Sequence, residues 1–93
     1  MYVGIIQVDL IIREAHSLKD KRRVLRSIKD RLRVRFQVAA AEVGVLDDRR
    51  EATLGISLVA NDATHAQKRC QSILNFLESH PAADVEDSQM EII

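Results

Sequence analysis

Aromatic side chains are scarce in this 93-residue chain: one Tyr, two Phe and no Trp. That scarcity excludes a sheet that stacks bases on a row of rings, because Tyr2 lies on the apolar parity of its strand and Phe36 and Phe76 fall in helical segments. Cysteine occurs once, as Cys70, so neither an intramolecular disulfide nor a multi-cysteine metal knuckle can form. With three Gly and one Pro there is no glycine-rich phosphate loop and no linker composition, and neither a nucleophile elbow nor an HExxH pair occurs. Net charge is missing too, since 14 Lys and Arg balance 14 Asp and Glu. Neutrality rules out a uniformly basic nucleic-acid sleeve and an acidic disordered tail as descriptions of the whole molecule. The apolar run at the N-terminus is broken by Gln7 and Asp9 and lacks a basic flank or cleavage site, so it reads as neither signal peptide nor membrane span. A cytoplasmic protein without membrane contact is the expectation.

At 46% hydrophobic residues, the chain has the composition of a single globular domain over residues 1–93. Residues 2–12 alternate with a period of two and predict a strand. Ser17, followed three positions later by Asp20, forms a capping-box signature that opens a helix to about Arg35, with Leu18, Leu25, Ile28, Leu32 and Phe36 on one apolar stripe and Val24 at its edge. Strands are predicted at 38–45 and 52–60, joined by the charged turn at 46–50. A second helix follows the Asn61-Asp62 cap, burying Ala63, Ala66, Cys70, Ile73, Leu74 and Leu77. The last strand, at 84–93, has a fault in its parity: Val85 and Met90 are five apart and share a face only across a bulge or a break. The order βαββαβ predicts an α+β, ferredoxin-like domain, a four-stranded antiparallel sheet with two helices on one face. Val3, Ile5, Ile11 and Val59 would then lie on the open face.

Resolved along the chain, the zero charge separates. Residues 17–36 hold nine basic and two acidic side chains, a net of +7, and the rest of the chain sums to −7. On a helical projection Lys19, Arg22, Arg26, Lys29 and Arg33 fall within roughly 80° of one another, a basic stripe beside the apolar one. Together with Lys21 and Arg23 these are the candidate nucleic-acid-binding residues. Cations crowded at a helix N-terminus oppose the macrodipole, an arrangement that suits an anion better than it suits stability. Lys21 projects into the apolar arc and is predicted to snorkel, or to contact a phosphate or Asp9. Cys70 reads as a small core hydrophobe, and His80 as a favourable charge at a helix end. His16, His65 and His80 are too scattered for a metal site, and no metal, cofactor or catalytic residue is expected. Asp9 and Glu42 would form a carboxylate pair only if both face the open side of the sheet.

The segment Ser17-Leu18-Lys19-Asp20-Lys21-Arg22, with Phe36-Gln37-Val38, Ala41-Glu42-Val43-Gly44 and Ala60-Asn61-Asp62, resembles the YlxP-like family of small bacterial proteins of unknown function. The resemblance implies a ferredoxin-like fold, a bacterial cytoplasm and genes beside those for translation initiation and ribosome maturation, with no established enzymatic activity. It weakens at Arg49-Arg50-Glu51, where relatives commonly carry Trp-Gln-Arg. The leading expectation is a non-enzymatic factor that docks its basic helix on rRNA or a ribosomal particle. The alternative is a self-associating adaptor, a homodimer through the sheet face or through the basic helix and the acidic C-terminal segment.

Overall fold

Period-two alternation places Gly4, Ile6, Val8, Leu10 and Ile12 of β1 (Tyr2–Ile12) on the buried side, and the computed structural model, which describes residues 1–93, packs both helices there. The remaining elements are α1 (Leu18–Phe36), β2 (Ala39–Gly44), β3 (Glu51–Ala60), α2 (Ala63–Glu78) and β4 (Ala83–Ile92). The sheet is antiparallel throughout in the order β2-β3-β1-β4, the ferredoxin-like arrangement, with β2 and β4 at its edges. α2 lies over β1 and β4, and α1 over β2.

Ser17 Oγ accepts from the Asp20 amide at 3.1 Å, and the Asp20 carboxylate accepts from the His16 amide at 3.2 Å, one residue before the helix cap. The buried side of α1 is Lys21, Leu25, Ile28 and Leu32; Leu18, Val24 and Phe36 are half-buried at its margins. α2 buries Ala66, Cys70, Ile73, Leu74 and Leu77 after an N-cap in which Asp62 accepts from the His65 amide at 2.8 Å. The parity fault in β4 is a bulge. Asp9 pairs with Asp87 and Leu10 with Val85, so Glu86 is the extra residue, and Val85, Ser88, Met90 and Ile92 share the helix side.

His80 departs from the sequence expectation. Its Nδ1 accepts from the Ala82 amide at 3.1 Å, which requires a neutral nitrogen, and desolvation followed by the charge of Arg31 lowers its pKa below the usual 6.5. It is an acceptor that shapes the turn after α2, not a cation at a helix end. Because the folded value lies below the unfolded one, the unfolded chain binds the proton first as pH falls through 6.5, and stability is lost across that window. We expect the thermal midpoint to drop between pH 7 and pH 5 and His80→Asn to flatten that slope; equal drops in both proteins would acquit His80. Asp84, held low by its hydrogen bond from Arg13, and Asp48, held low by the amides of Glu51 and Arg50, act in the same direction only below 3.8.

Candidate nucleic-acid interface

The two flanks of α1 have different neighbours. On one, Phe36 meets Phe76 of α2 edge to face, with ring centroids 5.6 Å apart. The other overhangs the β2 edge and carries the basic stripe. Lys19, Arg22 and Arg26 are exposed there, Lys29 is half-buried, and none of the four is paired with a carboxylate. Arg33 closes the row with its guanidinium drawn onto the edge strand, donating to the Ala40 carbonyl at 2.6 Å and lying 3.6 Å from Asp30. The stripe is therefore free of acids along four residues and compensated at the fifth. Arg23, just beside the row on the first turns, pairs with Asp20 at 3.1 Å and is compensated.

Lys21 is a correction. It is fully buried and neither snorkels nor approaches Asp9. Its ammonium has three N–H groups, and three backbone carbonyls stand within reach: Val45 at 3.0 Å, Leu46 at 3.4 Å and Glu51 at 3.0 Å. Glu42 Oε2 lies 3.0 Å away but out of hydrogen-bonding alignment, so the carboxylate serves as counter-charge without receiving a hydrogen bond. Lys21 is withdrawn from any phosphate and ties α1 to the β2–β3 connection, where Val45 holds a φ of 51° that a β-branched residue rarely adopts. Sequence reasoning missed Glu42 as the partner. The available signal was the inward parity of β2, on which Ala40 and Glu42 fall together.

The same parity separates Asp9 from Glu42. Glu42 pairs with the buried Leu54 on the helix side, whereas Asp9 is on the open face and accepts from Thr53 Oγ1 at 2.8 Å, so the carboxylates form no pair. The four strands contain no Lys or Arg at all, against seven acids. Registers with β1 place Glu51, Asp84, Asp87 and Glu91 beside Asp9 on the open face, among the half-buried Val3 and Ile11 and the exposed Ile5 and Val59. The charge split seen along the chain is thus a split between layers: a basic helix above, an acidic sheet face below.

At the N-terminus of α1 a hollow of about 370 Å³ is lined by Arg13, Glu14, Asp20 and Arg23. Arg13 is engaged by Asp84 and Arg23 by Asp20, and Ser17 takes the Asp20 amide, so both cations of the hollow are already paired. Cys70 is buried, and desolvation pushes its thiol pKa up, which suits a core residue and not a nucleophile. No group of three or more His, Cys, Asp or Glu is gathered in metal-binding geometry. No helix is long and apolar enough to cross a membrane.

With this geometry in view, the comparisons with known proteins agree on kinship and are silent on chemistry. A family model described as a protein of unknown function (DUF503) matches residues 3–90. A relative described as an uncharacterized protein YlxP, from Bacillus subtilis (strain 168), is 34% identical over 79 residues, covering 85% of this chain and 86% of that protein.

Proposed function

Since the chain belongs to the DUF503, YlxP-like family of unknown function, a membership that brings no reaction with it, we propose from its charge geometry that it is a non-enzymatic factor docking α1 on structured RNA, with rRNA in a ribosomal particle as the favoured partner. The observation that carries the reading is the row Lys19, Arg22, Arg26 and Lys29, uncompensated on a helix whose other face is the core. The acidic sheet face repels polyanions, so only the helix layer is available to them. Cations on a helix surface read phosphate spacing and groove shape, with little base specificity. Four phosphate contacts give a salt slope of about −3.6 and a loss of roughly 150-fold in affinity between 50 and 200 mM salt.

The test separates function from stability by sign. Lys19 sits in the first turn of α1, where a cation opposes the macrodipole, so Lys19→Glu should leave stability unchanged or raise it by about 0.3–1 kcal/mol. Combined with Arg22→Glu and Arg26→Glu, it should reduce co-sedimentation with ribosomal subunits at 50 mM salt by about a hundredfold or more. Undiminished co-sedimentation of the triple variant would sink the RNA reading. A second reading draws on the five acids of the open face, which offer a counter-surface to the stripe of another copy. Salt-sensitive self-association in gel filtration, with no binding to rRNA at low salt, would favour that adaptor role instead.

A further inference from the structure

A groove of about 680 Å³ lies where the C-terminal end of α1 meets the first half of α2, and its lining includes Arg35, Phe36, His65, Lys68 and Arg69 with no acidic residue. The other four principal concavities each include at least one carboxylate. Two of the groove's guanidiniums are held in place without a counter-charge. Arg35 stacks 5.2 Å from the Phe36 centroid and 5.5 Å from that of Phe76. Arg69 donates to the Val59 carbonyl at 3.0 Å and the Phe36 carbonyl at 2.9 Å, which spends two of its five donors. The dipole of α1 accounts for Arg35, and the Phe36 carbonyl accounts for Arg69. Neither accounts for Lys68, which lines the same hollow beside His65 from the N-terminal half of α2 and has no carboxylate partner.

We propose that this groove is a phosphate-binding site, separate from the α1 stripe. Fixed guanidiniums match phosphate oxygens bidentately, the neighbouring lysine adds a mobile charge, and an anion would relieve the mutual repulsion of the three. The groove is open and Phe36 is the one hydrophobic residue in its lining, so charge dominates what it recognises. The phosphate belongs to an RNA backbone or to a small phosphorylated molecule. The site does not depend on the stripe binding RNA.

Titration of inorganic pyrophosphate into the isotopically labelled full chain, followed by amide chemical shifts, is the direct test. Saturable shifts are expected at the groove amides, with affinity falling about tenfold in the double variant Arg35→Gln, Lys68→Glu; Arg69 is left intact because its carbonyl bonds join three elements. The stripe variant Lys19→Glu, Arg22→Glu, Arg26→Glu should bind pyrophosphate as the parent does. Absent groove shifts, or equal losses in both variants, overturn the site. In ribosome co-sedimentation, a salt slope reduced by about 1–2 in the groove variant identifies the RNA backbone as the source; an unchanged slope, with the parent binding pyrophosphate at the groove, identifies a small phosphorylated molecule.

Discussion

Lys21→Ala is expected to lower the unfolding free energy by about 3–5 kcal/mol, a large fraction of the stability of a domain this size. Removing the ammonium leaves the Glu42 carboxylate, 13% exposed, with no counter-charge, and deprives three carbonyls of their shared donor. It also releases the left-handed Val45, whose φ of 51° is held in part through the Lys21 bond to its carbonyl. Lys21→Met keeps the stem and should be nearly as damaging, because the loss is electrostatic and only secondarily one of packing. The informative comparison is the double variant Lys21→Met, Glu42→Leu, which removes both charges and should recover a substantial part of the deficit. Urea unfolding measures all three; a Lys21→Ala cost below about 1 kcal/mol would contradict the buried-latch account. The result bears on function as well. A phosphate ligand would lose RNA affinity with stability intact, whereas Lys21 should lose stability first.

The contrast between Lys21 and its neighbours shows what a linear reading reaches and where it stops. Helical projection correctly puts Lys21 on the apolar arc and Lys19, Arg22, Arg26 and Lys29 off it, because direction around a helix follows from sequence spacing. What Lys21 meets there depends on the turn after β2 folding back over the start of α1, and no local pattern encodes that return. The bulge at Glu86 was legible as a conflict of parity, since alternation is local, and so was the capping by Ser17 and Asp20. The side on which Glu42 points is fixed by pairing with Leu54, and the role of His80 by the Ala82 amide beyond the proline, which no local pattern signals. The groove cations escaped notice for a related reason: Phe36 and Arg69 are joined by a hydrogen bond across 33 positions, and no periodicity relates them. Charge segregation shows the two levels together. The sum of +7 over one helix and the absence of cations from the strands are legible in the chain, whereas the gathering of five acids on one sheet face appears only through the registers.

Gly4→Ala should destabilise by about 1–3 kcal/mol and Gly4→Val by more, although alanine ordinarily outperforms glycine inside a strand by about 0.5–1 kcal/mol. The sign reverses because α2 comes so close to β1 that its Cys70 sulfur occupies the space of the missing side chain. A Cβ at Gly4 would lie 2.7 Å from Cys70 Sγ and 3.1 Å from Leu58 Cδ1, both in the core. Cys70→Ala alone should cost about 1 kcal/mol as a small cavity. In the Gly4→Ala, Cys70→Ala double variant each change fills or vacates the other's space, so the double should be more stable than Gly4→Ala, a coupling that surface or helix-propensity effects cannot produce. Gly55 provides the comparison on the open face: its added Cβ meets only the side chain of Val43, at 3.0 Å, and Val43 is more than half exposed and can move. Gly55→Ala should therefore be close to neutral. Chemical unfolding of the four proteins in the Gly4–Cys70 cycle decides the matter, and strict additivity would show that α2 can shift away from β1 at little cost.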